Sequence, residues 1–213
     1  MIPAFPVYLF DVDGTLVDSA PDICGAVSAV LETTPAGKCE TAFLRGYIGR
    51  HLYDLFEDVL PGCDEATKAD LLARYRTIYL AREHSATRVY PGVPEALARL
   101  RGRKSTATTK SSQTVRSVLE QFGLVSYFDH VQGTDGFPAK PAPDVILRSI
   151  EGLGGADTKD VLMVGDSPAD MAAGKAAGVR TCAVTWGYGK REEMACFEPD
   201  FWIDDLSQLL PSR

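Results

Sequence analysis

The sequence predicts an α/β fold in which a doubly wound parallel sheet forms the core and a helical segment is inserted after the first strand. Short apolar runs alternate with amphipathic helical patterns along most of the chain. This order is typical of parallel sheets with right-handed crossovers. Between residues 20 and 85 the alternation stops, and only helical patterns occur. A length of 213 residues accommodates one large domain, or a core with a modest second module.

The predicted strands are short and lack polar alternation, as expected of strands that are covered on both faces. The first is Val7–Phe10, which is β-branched and aromatic. The later runs are residues 161–164 and 181–184 and, as weaker signals, 104–107, 128–132 and Phe201–Ile203. The run at 104–107 is unusually polar for a buried strand.

Helical patterns lie between these strands. Val115, Val118, Leu119 and Phe122 recur at the spacing of one helical face. Pro143 is predicted to begin a helix that continues through residue 150, and Ser167 followed by Pro168 is an N-cap signal. The inserted segment contains helical patterns at residues 20–32, 40–47, 52–60 and 64–83. We therefore expect a core domain at residues 1–15 and 90–213 and a helical domain at residues 16–89.

Composition narrows the class of protein. The net charge of −7 argues against nucleic acid as a main partner, because phosphate-backbone binding needs basic clusters. The five cysteines are scattered without C-x-x-C spacing, which indicates reduced thiols rather than a disulfide framework or a zinc site. No apolar run is long enough to span a bilayer, and no signal-peptide core precedes Asp11. We expect a cytoplasmic protein that does not associate with membranes.

Polar residues follow the strands at one edge of the predicted sheet. Ligands bind beyond the carboxyl ends of strands in open α/β sheets. The segments at that edge contain Asp11 and Asp13, then Thr108, Thr109 and Lys110, then Lys140 between prolines, and finally Asp166 and Asp170. Two carboxylates close together in a buried place are unfavourable unless a cation or a shared proton compensates.

The chemistry that suits this set is phosphoryl transfer to a carboxylate, which depends on positioning and charge neutralisation. Asp11 is the predicted nucleophile, and Asp13 is the predicted general acid and base. Thr108 and Lys140 are expected to hold phosphate oxygens. Because the donors are oxygens alone, the predicted cofactor is Mg²⁺. The predicted metal residues are Asp11, Asp13 through its carbonyl, Asp166, and Asp170 directly or through water.

These motifs resemble those of the haloacid dehalogenase superfamily. The segment Asp11-Val12-Asp13-Gly14-Thr15-Leu16 is similar to its first motif, Thr108 to its second, Lys140 to its third, and Asp166 with Asp170 to its fourth. The resemblance implies a Rossmann-like core with a helical cap. The segments at residues 16–22 and 90–93, with the tail at 186–189, are similar to the phosphoglycolate phosphatase-like branch.

The resemblance implies a phosphoric monoester hydrolase acting on a small phosphorylated metabolite, with 2-phosphoglycolate as the leading candidate. Dehalogenase and phosphonatase relatives lack the acid found here as Asp13. Thr109 stands where this branch often has asparagine, and we assign it to substrate binding. Arg45 and Arg50, which flank Gly46 and Gly49 in the inserted segment, are predicted to bind a second anionic group of the substrate.

Several alternatives stay open. One is a sugar-phosphate mutase, although Ile23 stands near the position where β-phosphoglucomutase-like relatives carry histidine. Another is a non-catalytic protein that binds a phosphorylated ligand. A calcium-binding module is disfavoured because the twelve-residue loop pattern is missing. Both a monomer and a homodimer are compatible with the sequence.

Overall fold

The structure, a computed structural model, describes residues 2–211, and the chain divides into two units. The helical unit is Asp18–Arg88, and the core unit consists of the described residues before and after it. Two short strands, β2 (Val17–Asp18) and β3 (Arg88–Val89), lie where the chain passes between the units, and they form a two-stranded sheet.

A five-stranded parallel sheet forms the centre of the core unit. Its strands are β1 (Val7–Phe10), β4 (Arg103–Thr106), β5 (Val161–Gly165), β6 (Arg180–Val184) and β7 (Phe201–Ile203). The strand order is β4-β1-β5-β6-β7, so the chain leaves β1 first toward one side and later returns on the other. The carboxyl end of β1 is therefore the topological switch point, where open α/β sheets bind ligands.

Helices cover both faces of this sheet. In chain order they are α5 (Val93–Arg99), α6 (Ser112–Gln121), α7 (Asp144–Gly152), α8 (Pro168–Ala177) and α9 (Arg191–Ala195). Short 3₁₀ turns occur at Val125–Tyr127, Thr158–Asp160 and Leu206–Leu209.

Alternate residues of β1 pack into two different cores. Tyr8 and Phe10 belong to the cluster that contains residues of α5 and α6. Val7 and Leu9 belong to the cluster that contains residues of α7 and α8. Each face of the strand thus meets its own layer of helices, which explains why β1 is apolar throughout. The prediction of a doubly wound parallel sheet is confirmed.

The weak strand signals have different outcomes. The polar run after residue 102 is strand β4, and it lies at an edge of the sheet, where polar side chains reach partners outside the ladder. The strand expected at residues 128–132 is wrong, since only an isolated bridge joins Ser105 to His130. Here the Thr106 hydroxyl accepts a hydrogen bond from the Gln132 N–H at 2.8 Å and donates one to the Gln132 carbonyl at 2.9 Å. These two bonds take the place of a regular ladder.

The helical unit consists of four helices, as the periodicity predicts. They are α1 (Ala20–Leu31), α2 (Thr41–Arg45), α3 (Leu52–Val59) and α4 (Glu65–Ala81). The fully buried Asp22 carboxylate of α1 accepts hydrogen bonds from Arg82 Nε at 3.0 Å, the Ala86 N–H at 3.0 Å and Thr87 Oγ1 at 2.8 Å. This carboxylate ties the end of α4 and the segment after it to the start of α1. Within residues 2–211, no helix is long and apolar enough to cross a membrane.

Candidate active site

Two aspartates follow β1 directly. Asp11 continues the ladder, because its N–H donates to the carbonyl of Val164 at 2.9 Å. The side chains of Asp11 and Asp13 are both buried, at 5% and 7% exposure. Gly14 then turns the chain with φ +87°, and a Cβ there would lie 2.2 Å from an Asp166 carboxylate oxygen. Glycine is therefore required both by the backbone conformation and by the close approach of Asp166.

Lys140 connects the first acid to the last. Its Nζ donates to Asp11 Oδ1 at 2.7 Å, to the carbonyl of Ala107 at 2.9 Å and to Asp170 Oδ1. The residue lies in the predicted proline-flanked segment, where the Lys140–Pro141 peptide bond is cis. With its side chain 1% exposed, the ammonium is enclosed by these acceptors.

Asp166 and Asp170 follow β5. Asp170 belongs to a capping box at the start of α8, in which the Ser167 side chain accepts from the Asp170 N–H and the Asp170 carboxylate accepts from the Ser167 N–H. The N-cap signal at Ser167 and Pro168 thus marks the true start of this helix. Both oxygens of Asp170 are engaged, one by Lys140 and the other by Ser167.

Contacts that the sequence does not reveal hold Asp166. Thr15 Oγ1 donates to Asp166 Oδ1 at 3.1 Å, and the Tyr188 N–H donates to Asp166 Oδ2 at 2.7 Å. Gly187 lies against the same side chain, because a Cβ there would be 2.2 Å from the Asp166 Cβ. The segment around Tyr188, to which the sequence assigns no role in the site, therefore positions an acid of the site. Glycine at alternate positions after β6 is the sequence signal from which this close approach to Asp166 could be predicted.

The segment after β4 contributes Thr108 and Lys110, whose pairing with an acid of the site the sequence does not predict. Thr108 is fully buried, and its hydroxyl lies 3.4 Å from the Lys110 N–H. Thr109 is half-buried, and among the contacts described for residues 2–211 it has no hydrogen bond to the acids. Lys110, which the sequence places in this segment without a role, has its Nζ 3.0 Å from Asp13 Oδ2.

The buried charges of the site are out of balance. The site contains four carboxylates, those of Asp11, Asp13, Asp166 and Asp170, but two ammonium groups, of which Lys110 pairs with Asp13 and Lys140 with Asp11 and Asp170. Burial raises the pKa of Asp11 from its ordinary 3.8 to about 7, although Lys140 acts in the opposite direction. Burial and the charge of Asp11 also raise the pKa of Asp166 well above 3.8. Burial disfavours the Lys140 ammonium, but Asp11 and Asp170 outweigh it and raise the pKa.

These carboxylates fit a divalent cation. One oxygen from each of Asp11, Asp166 and Asp170 lies within 4.8 Å of the others, and all three side chains are buried. Burial, with the neighbouring carboxylates, raises the pKa of Asp11 and of Asp166, so a bound cation would stabilise the charged forms of both. A site made only of oxygen donors suits a hard ion such as Mg²⁺.

The arginines predicted for substrate binding both belong to the helical unit. Arg45 ends α2 and is exposed. Arg50 is also exposed; its Nε lies 3.3 Å from Asp54 Oδ2, and its guanidinium carbon lies 4.8 Å from the centre of the Tyr47 ring. Both side chains lie on the surface of that unit rather than in its core.

Comparison with known proteins agrees with the motifs. The family model described as haloacid dehalogenase-like hydrolase matches residues 8–184. Over 214 residues the chain is 36% identical to phosphoglycolate phosphatase 1 of Pseudomonas aeruginosa, covering 95% of this chain and 78% of that protein. Over 208 residues it is 33% identical to the phosphoglycolate phosphatase of Aquifex aeolicus, covering 96% and 94% of the two chains.

A solved structure described as a predicted phosphatase from Clostridium acetobutylicum superposes with a TM-score of 0.89, at 27% identity over 97% of each chain. The chain belongs to the haloacid dehalogenase-like hydrolases, so the resemblance stated from its motifs is confirmed. It is accordingly an enzyme of the hydrolase class, and the relatives compared here are named as phosphatases.

Proposed function

We propose that this enzyme hydrolyses the phosphate ester of a small metabolite through an aspartyl-phosphate intermediate. The observation that carries the proposal is the pair of buried acids after β1, each with its own lysine. Asp11 is bonded to Lys140, and Asp13 is paired with Lys110. One carboxylate placed to attack and a second placed to move a proton are what two-step ester hydrolysis requires.

In the first step, a carboxylate oxygen of Asp11 attacks phosphorus and the bond from phosphorus to the ester oxygen breaks. Asp13 gives its proton to that departing oxygen. In the second step, water attacks the phosphorus of the aspartyl phosphate, Asp13 accepts a proton from the water, and the Asp11 carboxylate is released together with phosphate. Lys140 and Thr108 hold the phosphate oxygens, with Thr109 beside them. General acid–base catalysis of the kind assigned to Asp13 contributes roughly 10²–10⁴-fold to the rate.

We propose Mg²⁺ as the cofactor. Asp11 and Asp166 would hold it together with the backbone carbonyl of Asp13. Asp170, whose oxygens are engaged by Lys140 and Ser167, would act through Lys140 or a water molecule. When bound, the ion neutralises phosphate charge that these carboxylates would otherwise repel. Thr15 and the Tyr188 N–H keep the Asp166 carboxylate oriented for this role.

The substrate we propose is 2-phosphoglycolate. It is supported by the names of the relatives from P. aeruginosa and A. aeolicus, each at least 33% identical over most of this chain. Arg45 and Arg50 remain predicted substrate residues, and the helical domain predicted at residues 16–89 remains the predicted cap. Cytoplasmic location, a monomeric or homodimeric state, and the absence of nucleic-acid and membrane partners remain predictions from the sequence.

Asp11→Asn tests the mechanism, with Asp160→Asn as a matched control on the exposed surface. Phosphate release from 2-phosphoglycolate and p-nitrophenyl phosphate should fall at least about 10³-fold in Asp11→Asn and stay unchanged in Asp160→Asn. Mass spectrometry of acid-quenched wild-type enzyme should locate a phosphoryl group on Asp11. Undiminished release by Asp11→Asn would refute the nucleophile assignment. Phosphate transfer within β-glucose 1-phosphate, without net release, would instead favour the mutase.

A further inference from the structure

In the two steps proposed above, Lys110 takes no part beyond its ion pair with Asp13. Its side chain is 10% exposed, and its Nζ lies 3.0 Å from Asp13 Oδ2. Lys140, by contrast, bonds Asp11, which is the group that meets phosphorus. The two lysines therefore serve different sides of the reaction, since Asp13 acts on the ester oxygen of the leaving group.

The backbone of Lys110 is held by a neighbouring loop. The Thr134 N–H donates to the Lys110 carbonyl at 2.7 Å, and Thr134 Oγ1 donates to the Thr108 carbonyl at 2.9 Å. Gly133 packs so closely that a Cβ there would lie 2.3 Å from the Lys110 carbonyl oxygen. A lysine whose side chain only extends into solvent needs no such fixed backbone, whereas a preorganised binding residue does.

The Lys110 ammonium lies where the leaving group of the substrate must bind. Asp13 protonates the ester oxygen, so this oxygen lies within hydrogen-bond distance of Asp13 and next to the Lys110 ammonium. In 2-phosphoglycolate one methylene separates the ester oxygen from the carboxylate group. By ordinary bond lengths, the ester oxygen therefore lies about 3 Å from a carboxylate oxygen. An ammonium has three N–H donors, which lets it contact Asp13 and a substrate anion together.

We propose that Lys110 binds the anionic group of the leaving part of the substrate and so selects esters that carry a negative charge near the ester oxygen. This inference rests on the proposed phosphatase function and adds a specificity residue to it. Once Asp13 has given its proton to the ester oxygen, its carboxylate lies beside the carboxylate of the leaving group, and a cation between the two offsets their repulsion. Lys110 places an ammonium there, 3.0 Å from Asp13 Oδ2.

The kinetic test compares 2-phosphoglycolate with ethyl phosphate, in which a methyl group replaces the carboxylate. Lys110→Met should lower kcat/KM for 2-phosphoglycolate about 10- to 100-fold more than for ethyl phosphate, the worth of one charge-assisted hydrogen bond. Lys110→Arg should restore part of the preference. Lys159→Met, at a lysine with an 82% exposed side chain, is the matched control and should leave both substrates unchanged.

A binding test removes the chemical step. Calorimetry with Mg²⁺ present would compare 3-phosphonopropionate, a non-hydrolysable analogue with a carboxylate, with propylphosphonate, which lacks it. Wild type should bind the first more tightly, and Lys110→Met should bind the two about equally. An equal loss of kcat/KM on both esters, or a preference for 3-phosphonopropionate that survives in Lys110→Met, would overturn the proposal. A wild-type enzyme that releases phosphate from no ester would refute the proposed function, while the binding comparison would still decide the role of Lys110.

Discussion

Replacing Asp11 with asparagine should stabilise the metal-free protein even as it removes activity. The carboxylates of Asp11, Asp13, Asp166 and Asp170 are buried together, and Lys110 and Lys140 offset only part of their charge. Asparagine has nearly the same shape and removes one negative charge from this cluster. Lys140 keeps Asp170 and the Ala107 carbonyl as partners, so the substitution does not leave its ammonium unpaired.

The magnitude follows from the pKa of Asp11, which burial raises from 3.8 to about 7. The unfolded chain releases this proton near its ordinary pKa, whereas the folded chain retains it until about pH 7. The penalty for holding a charged Asp11 in the fold is therefore absent below about pH 4, grows between about pH 4 and 7, and is constant above that range. About three pH units at roughly 1.4 kcal/mol each give an upper bound of about 4 kcal/mol.

Urea denaturation in EDTA at pH 8 and pH 4 measures this effect on wild type, Asp11→Asn and the control Asp160→Asn. We expect Asp11→Asn to be more stable than wild type by about 2–4 kcal/mol at pH 8, with the difference nearly gone at pH 4. Added Mg²⁺ should stabilise wild type more than Asp11→Asn, because the variant has lost a charged ligand. Equal or lower stability of Asp11→Asn at pH 8 would refute the reasoning that burial penalises the charged form of Asp11.

Two further substitutions test other contacts. Gly187→Ala should weaken Mg²⁺ binding by about tenfold or more, because the new methyl group would lie 2.2 Å from the Asp166 Cβ and displace that side chain. Magnesium titration by calorimetry measures this effect, and an unchanged affinity would contradict the prediction. Asp22→Asn should lower the free energy of unfolding by about 2 kcal/mol, because the partly exposed Arg82 loses its charged acceptor; a urea-measured loss below about 0.5 kcal/mol would show that this network contributes little.

Features set by near neighbours in the chain are the ones that the sequence predicts well. Val7–Phe10 is a buried strand because it is a continuous apolar run, and Asp11 and Asp13 must then stand at its carboxyl end. The helix after Ser167 begins where the N-cap signal places it. The helix containing Val115 and Val118 buries the face that its periodicity marks. The resemblance to the family motifs adds the prediction of which strand ends lie together at the site.

The strand expected at residues 128–132 shows where such reasoning stops. The segment has the composition of a strand, yet the side chain of Thr106, on the edge strand β4, takes over the bonds that a ladder would make with Gln132. Whether two segments form a regular ladder depends on which side chains the fold places between them. Composition alone does not carry that information.

The sequence by itself determined the alternating sheet, the helical insertion and the acids at the end of the first strand, because short-range periodicity, capping and turns decide these features. Only the tertiary structure decided that Lys110 pairs with Asp13 and that Thr15 and the Tyr188 N–H hold Asp166. Most of those residues are far apart in the chain, and they meet because the strand order β4-β1-β5-β6 places the ends of neighbouring strands side by side. Their geometry depends on how the strands pack, which no local pattern of residues specifies.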